Sequence, residues 1–288
     1  MKHVFLLVLF YGDILSFGFG FFTHKQVNHN VVFTFPEGSL FSFYKKHINY
    51  FSKHAADPDK RKFLNRSEGQ KHFFNIDADE YGNDIINSQW IPYKNMCQKY
   101  GEKIVKKYGL LPWSILASQK LLIEAFEQKN TKKILKNSID LAHYITDACT
   151  PLHTTKNYDG QETAQHGIHS FWETLLPQLF FESYDLKNIK AKYQKNLPRI
   201  IWKNIQDSYK ESCIILQKDR ELNAKLLLGK YAYIKIGKTV NRLHSTKYAR
   251  LYHEKLAGQL EKQIRKAIKM IGDFIYTSWI DAGKPSLL

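Results

Sequence analysis

Residues 143–173 begin with His143-Tyr-Ile-Thr-Asp147-Ala-Cys-Thr-Pro-Leu-His153 and end with His166-Gly-Ile-His169-Ser-Phe-Trp-Glu173. Asp147 follows His143 by four positions, so the two side chains share one face of a helix. His166, His169 and Glu173 are spaced three and four apart, which again places them on one helical face. Imidazoles and carboxylates without thiolates are the ligands of catalytic zinc sites. The stretch therefore predicts two helices joined by a loop, at the centre of a hydrolytic site that holds several metal ions.

Length and composition set wide bounds on the fold and its partners. The chain has 288 residues, 43% of them hydrophobic, so it can bury a substantial core as one compact domain without a metal or disulfide. Its three cysteines include no Cys-x-x-Cys pair, which excludes a thiolate zinc ribbon and defines no disulfide framework. The net charge of +16 favours polyanions, whether nucleic acid, acidic lipid headgroups or phosphate esters.

The amino terminus has the order of a secretory signal. A basic start, an apolar run over residues 4–11 and the small residues Ser16 and Gly18 follow one another. The apolar run is too short to span a bilayer, and a buried helix at the amino terminus is the alternative. We expect a signal peptide at residues 1–18 and a secreted or periplasmic mature protein at residues 19–288.

The rest of the chain shows a 3.6-residue hydrophobic period and little alternation, which predicts an all-helical protein. Helices are expected at residues 24–35, 37–54, 94–108, 112–129, 131–149, from about 186 onward, and 245–280. Pro58 is expected in a turn, and Pro198 is expected to break a helix. Residues 60–93 form a long irregular segment, and such segments are usually functional.

The run His143-x3-Asp147-x5-His153, followed by His169-x3-Glu173, resembles the signature of the zinc-dependent phospholipase C family, which shares a fold with single-strand-specific nucleases. The resemblance extends upstream to Phe19-Gly-Phe-Phe-Thr-His24, His54-Ala-Ala-Asp57-Pro-Asp59 and His72-Phe-Phe-Asn-Ile-Asp77. These motifs lie within residues 19–173, and the remainder matches only as further helices. The resemblance implies an all-α, single multi-helical domain of the phospholipase C/nuclease type with a trinuclear zinc cleft.

The resemblance also implies which residues hold the three zinc ions. One ion is expected on Asp57, His72, His143 and Asp147. Asp147 is expected to bridge to a second ion, held also by His24 and by the free amine and carbonyl oxygen of Phe19. The third is expected on His153, His169 and Glu173. Asp57 is further implied as a general base.

Three residues near these ligands need separate comment. The family has tryptophan where this chain has Phe19, but the expected ligands there are backbone atoms, so binding need not be lost. His166 is an additional histidine, expected either to orient His169 or Glu173 or to lie on the helix surface. His54 is equally ambiguous and is not in the expected ligand set.

The function implied is a secreted zinc-dependent phosphodiester hydrolase that cleaves phospholipid with metal-activated water. Expected partners are a phospholipid or another phosphodiester, with peripheral contact to a membrane surface, and the protein is expected to be a monomer. The short segment between His153 and His169 favours a phospholipase over a nuclease. A single-strand nuclease is the alternative, supported by the charge and by aromatics such as Tyr158 and Phe73-Phe74. An inactive metal-binding or adhesion protein of the same fold is a third reading, which only Phe19 suggests.

Overall fold

The computed structural model describes residues 20–226, 229–236 and 239–287, and these are mostly helical, which confirms the all-α prediction. The expected signal peptide at residues 1–18 and the expected ligand Phe19 lie outside the described residues. Within the described ranges, none of the helices combines the length and apolar content that crossing a membrane requires.

The helices are numbered here in chain order. They are α1 (Phe21–Val31), α2 (Ser39–Lys46), α3 (Ile48–Lys53), α4 (Asp57–Lys62), α5 (Arg66–Gly69), α6 (Tyr93–Tyr100), α7 (Glu102–Lys107), α8 (Leu111–Glu127), α9 (Thr131–Cys149), α10 (Ile168–Ser170), α11 (Leu176–Phe180), α12 (Leu197–Lys225), α13 (Thr246–Lys255) and α14 (Gln259–Asp281). A π-helical turn, Phe171–Leu175, joins α10 to α11. Two strands, β1 (Tyr231–Ile236) and β2 (Thr239–His244), pair as an antiparallel hairpin.

Helix α9 lies in the middle of the core. It begins where the Asn130 side chain accepts the backbone N–H of Lys133, which is an ordinary helix cap. Every residue from Asn137 to Cys149 is buried, and the helix packs against α8, α12 and α14. A helix surrounded in this way presents its polar side chains to other protein groups rather than to water. His143 and Asp147 are therefore interior residues.

Proline positions differ from the sequence expectation in two places. Pro58 lies in the first turn of α4 rather than in an open turn. Pro198 lies in the first turn of α12 rather than at a helix break, so the helix expected from about residue 186 begins only at Leu197. The first turn of a helix has no internal partner for its N–H groups, so the missing donor of proline is tolerated there. Both prolines therefore start helices.

Three expected helices are divided, and one hairpin was not expected. The helix expected over residues 37–54 is split into α2 and α3 at His47, the helix expected over residues 94–108 is split into α6 and α7 at Gly101, and the terminal helix is split into α13 and α14. The last break falls at Ala257 and Gly258, which have φ values of 49° and 80°. This left-handed conformation ends a right-handed helix. The β1–β2 hairpin follows α12, in a region where the sequence pattern predicts no strand.

The irregular segment over residues 60–93 is fixed to the chain that follows α9. The backbone N–H of Phe74 donates to the His153 carbonyl at 2.9 Å, and that of Ile76 donates to the Thr154 carbonyl at 3.1 Å. The Asp77 carboxylate accepts the Thr155 hydroxyl at 2.6 Å. These bonds hold the segment beside the carboxyl end of α9, where His143 and Asp147 lie.

Candidate metal centre

Two groups of histidines and carboxylates lie close together in the described part of the chain, and each could hold metal ions. We call the first the inner cluster; it comprises His24, Asp59, His72, His143 and Asp147. We call the second the outer cluster; it comprises His153, His169 and Glu173. Inner-cluster side chains are buried, whereas those of the outer cluster are 12–20% exposed. The outer cluster thus lies toward the solvent side of the centre.

Asp147 is the hub of the inner cluster. Its Oδ1 lies 3.4 Å from His24 Nε2, and its Oδ2 lies 2.9 Å from His72 Nδ1. The same Oδ2 is 3.4 Å from His143 Nε2. Because its two oxygens face different histidines, Asp147 has the geometry of a carboxylate that bridges two ions.

Asp59 closes the other side of the inner cluster. Its Oδ1 lies 3.5 Å from His143 Nε2 and 3.6 Å from His72 Nδ1. The rings of His24 and His143 are stacked with centroids 4.0 Å apart. His72 and His143 thus have a carboxylate on each side, and the ring of His24 packs against that of His143.

Glu173 organises the outer cluster. Its Oε2 lies 3.3 Å from His153 Nε2 and 3.2 Å from His169 Nε2. Glu173 belongs to the π-helical turn, and such turns occur frequently at functional sites. The turn lets Glu173 meet both histidine rings, although His153 comes from the loop after α9.

Three of the histidines are oriented by backbone carbonyls. His143 Nδ1 is 2.9 Å from the Ala55 oxygen, His153 Nδ1 is 2.6 Å from the His72 oxygen, and His169 Nδ1 is 3.1 Å from the Tyr158 oxygen. A carbonyl only accepts, so each Nδ1 carries the proton and each Nε2 is turned into its cluster. Metal-ligating histidines are usually held by such a second hydrogen bond.

The proton count in the inner cluster favours a cation. His143 Nε2 lies within 3.5 Å of His72 Nδ1, Asp59 Oδ1 and Asp147 Oδ2, and a single proton can satisfy only one of them. Among the described residues no hydrogen-bond partner reaches the buried His24 Nδ1 or His72 Nε2. These are the ring nitrogens opposite those that meet the carboxylates, since His24 contacts Asp147 through Nε2 and His72 contacts Asp59 and Asp147 through Nδ1. The case for an ion therefore rests on His143 Nε2, which faces two carboxylates and a second imidazole at once.

The electrostatics of the clusters follow from these contacts. Burial acts to raise the pKa of Asp147, but His143 and the other nearby histidines hold it well below its usual range. The pKa of Glu173 is likewise held low by His169 and His153. Burial acts to lower the pKa of His143, yet Asp147 and Asp59 raise it to about 9. Burial lowers the pKa of His72 to about 4. The carboxylates therefore stay ionised, as metal ligands must.

Asp57, which the resemblance placed among the ligands, is not part of either cluster. Its carboxylate is 2.7 Å from Lys60 Nζ and 2.7 Å from His54 Nδ1, and its side chain is 33% exposed. Asp57 is the first residue of α4, and Asp59 comes two positions later on the opposite side of that helix. Asp59, rather than Asp57, therefore faces the inner cluster.

Lys62 is a second residue of α4 that sequence reasoning missed. Its Nζ lies 2.6 Å from Asp59 Oδ1, and its side chain is 37% exposed. Burial acts to lower the pKa of Lys62, but Asp59, with Asp147 and Glu173 farther away, raises it. Lys62 thus brings a cation to the open side of the centre. The i, i+3 spacing of Asp59 and Lys62 was the available signal, once the segment is known to be helical.

The amino-terminal end of α1 meets the outer cluster. The Gly20 N–H donates to Thr174 Oγ1 at 2.8 Å, and the Thr23 hydroxyl donates to the Glu173 carbonyl at 2.8 Å. A Cβ at Gly20 would lie 3.5 Å from Glu173 Oε1. The described chain therefore begins beside the centre. In contrast, His166 is exposed and belongs to neither cluster.

No model of a known protein family matches the chain, and a search of curated proteins found no significant match.

Proposed function

We propose that this protein is an exported, zinc-dependent phosphodiester hydrolase of the phospholipase C type. The observation that carries the proposal is Asp147, whose two oxygens face different histidines at the meeting point of the inner cluster. A bridging carboxylate with histidines on both sides suits adjacent divalent ions, and the outer cluster offers a third set. Histidine and carboxylate donors without thiolates suit zinc.

The proposed ligand set is the one that the resemblance implies, except that Asp59 replaces Asp57 because Asp59 lies in the inner cluster. Asp59, rather than Asp57, would join His72, His143 and Asp147 around one ion. Asp147 would also contact the ion held by His24 and the terminal amine and carbonyl of Phe19, and His153, His169 and Glu173 would hold the third. A Cβ at Gly20 would lie 3.6 Å from the His24 ring, and this position supports a ligand at the mature terminus for the ion on His24 and Asp147, which cleavage of the signal peptide would supply.

Bound divalent ions would polarise phosphoryl oxygens and lower the pKa of water from near 16 toward about 7. The protein itself would position the substrate. Lys62 offers its partly exposed ammonium to the phosphate, and Asp59 holds that ammonium at the edge of the inner cluster. A general-base role for Asp57 has no support in its contacts, because its carboxylate is paired with Lys60 and His54 away from both clusters.

A single-strand nuclease is the second candidate, and one contact favours it. Tyr158 is 53% exposed, and its ring centroid lies 6.2 Å from that of His169. An exposed aromatic ring beside the outer cluster can stack on a nucleobase. The same ring can cover an acyl chain, so the substrate has to be settled by assay.

The decisive experiment measures hydrolysis of phosphatidylcholine, single-stranded DNA and RNA, and a nitrophenyl phosphodiester, with and without a chelator. His143→Ala is expected to abolish hydrolysis, and His166→Ala is the matched control because His166 lies outside both clusters. We expect activity on the lipid and the small ester that is lost on chelation. Activity confined to nucleic acid would establish the nuclease instead, and full activity in chelator would overturn the metal proposal.

A further inference from the structure

The turn between α4 and α5 presents two adjacent apolar side chains to solvent. Phe63 is 87% exposed and Leu64 is 91% exposed, the highest values among the large apolar residues that the structure describes. Single exposed apolar residues are common on protein surfaces. Two in succession at the tip of a turn form an apolar projection, which in a soluble protein calls for an explanation.

The projection is held in place by its own backbone. The N–H groups of Leu64 and Asn65 donate to the Arg61 carbonyl at 3.0 Å and 2.9 Å. The Asn65 side chain then accepts the Ser67 N–H at 3.0 Å and so caps α5. The turn that carries Phe63 and Leu64 is thus a defined structure.

The projection adjoins the proposed catalytic cleft. Phe63 directly follows Lys62, whose Nζ is bound to Asp59 of the inner cluster. Asp59 and Lys62 belong to the same short helix α4, and Phe63 follows the last residue of that helix. Only the helix α4 therefore separates the projection from the inner cluster. A surface that received Phe63 and Leu64 would be brought beside the metal centre.

The charge around the projection is positive. Residues 53–66 contain five basic and two acidic residues. Arg61 is turned inward to Glu68 and Asp140. Lys60 and Lys62 pair with Asp57 and Asp59, and their side chains remain 56% and 37% exposed. One of the two acids, Asp59, belongs to the inner cluster, where a bound ion would offset its charge. An apolar tip with a cationic border has the chemistry of a surface-binding segment for anionic lipid.

We propose that the Phe63–Leu64 turn inserts into the headgroup region of a phospholipid bilayer that carries anionic lipid and thereby seats the metal centre on that bilayer. That the bilayer also holds the substrate rests on the proposed function, whereas insertion of the turn into the bilayer does not depend on it. Two side chains are too few for a stable protein interface, which buries about 800 Å² on each partner. Leu64 has no aromatic face for a nucleobase, so nucleic acid fits the pair less well.

The test measures flotation of the mature protein with vesicles of phosphatidylcholine alone and of phosphatidylcholine with phosphatidylglycerol. We compare the wild type, the double variant Phe63→Ser/Leu64→Ser and the control Leu121→Ser, which changes a half-exposed leucine on α8. We expect the wild type and the control to bind the anionic vesicles, more weakly at high salt. The double variant should bind about ten- to hundredfold more weakly, because it loses two apolar groups that would be buried.

Hydrolysis of the soluble nitrophenyl phosphodiester separates docking from catalysis. The double variant should keep its rate on the soluble ester, and its melting temperature should match that of the wild type because both side chains are exposed. The proposal is overturned if the double variant binds vesicles as well as the wild type does, or if it loses binding of single-stranded DNA instead of binding of vesicles. Vesicle binding that depends on Phe63 and Leu64 supports the proposal even if the protein cleaves no phosphodiester. In that case only the proposed function fails.

Discussion

Substitution of two aspartates in α4 distinguishes the geometry of the centre from the motif resemblance. Asp59→Asn removes a carboxylate whose Oδ1 lies 3.5 Å from His143 Nε2 and 3.6 Å from His72 Nδ1. Asp57→Asn makes the same chemical change two residues earlier, at a carboxylate that pairs with Lys60. The two variants have the same size and charge, so each is the control for the other. We expect only Asp59→Asn to lower metal affinity.

The magnitude follows from burial. Asp59 is 8% exposed, and two unit charges about 4 Å apart interact by about 4 kcal/mol at an effective dielectric constant of 20. Removing a charged partner from a buried site costs about 3–5 kcal/mol. Asp59→Asn should therefore raise the metal dissociation constant by about 10²–10⁴-fold. Asp57 is one-third exposed and solvent-screened, so its substitution should change the constant by less than about fivefold.

The assay is metal content of the dialysed protein by mass spectrometry, followed by competition with a chelator of known affinity. Circular dichroism of both variants checks that the fold is retained. Phosphodiesterase rates are measured on the same samples and should fall in parallel with metal content. If Asp57→Asn loses metal while Asp59→Asn retains it, the placement of α4 against the inner cluster is wrong and the ligand implied by the motif is right.

Three further predictions concern the fold and the mature terminus. Burial lowers the pKa of His244 to about 3, so between pH 6.5 and 3 this imidazole binds a proton in the unfolded chain but not in the folded one. Acidification over that range should therefore remove at most about 1.4 kcal/mol of stability per pH unit. His244→Gln should remove this slope from urea-unfolding curves, and an unchanged slope would contradict the assignment. Gly109→Ala should lower the free energy of unfolding by about 2 kcal/mol or more, because its Cβ would collide with the Phe73 carbonyl; Gly101→Ala, at positive φ in open space, should have a smaller effect on thermal unfolding. Mass spectrometry of the exported protein should show a chain that starts at Phe19, and any other start removes the proposed terminal ligand.

Much of the helical scaffold could be predicted from local pattern alone. Helix α9 begins at Thr131 and ends at Cys149, as the apolar period over those residues predicts. The four-residue spacing of His143 and Asp147 predicts that both lie on one face of this helix, because four residues make about one helical turn. Where a helix is long and strongly periodic, its interior residues follow from the sequence.

The choice between Asp57 and Asp59 could not be made in this way. In a turn, residues two apart have no fixed relation, whereas in a helix they point about 200° apart. Pro58 starts a helix here, and α4 packs against α9 through contacts distant in the sequence. Which of the two aspartates faces the inner cluster is therefore decided by tertiary packing, which the motif does not contain.

The β1–β2 hairpin was missed for a similar reason. It is anchored at the buried Asp219 of α12, whose carboxylate lies 2.9 Å from Lys230 Nζ and accepts the Tyr248 hydroxyl at 2.7 Å. Gln165, from the loop between His153 and His169, donates to the same carboxylate at 2.8 Å. These partners are far apart in the sequence, so no local pattern indicates the hairpin that their contacts support.

The position of the inner cluster is itself an argument for its function. Asp147 lies on the helix at the centre of the core, where an apolar side chain would pack without the loss of hydration that a buried carboxylate suffers. His72 joins this carboxylate through its ring and holds His153 of the outer cluster through its carbonyl, so the two clusters share one support. A fold that needed only packing would gain nothing from this connection. An ion bound to the inner cluster would offset the buried charge, and its binding energy would then contribute to the stability of the folded state. The centre would in this way act as a structural element of the core as well as a site of chemistry.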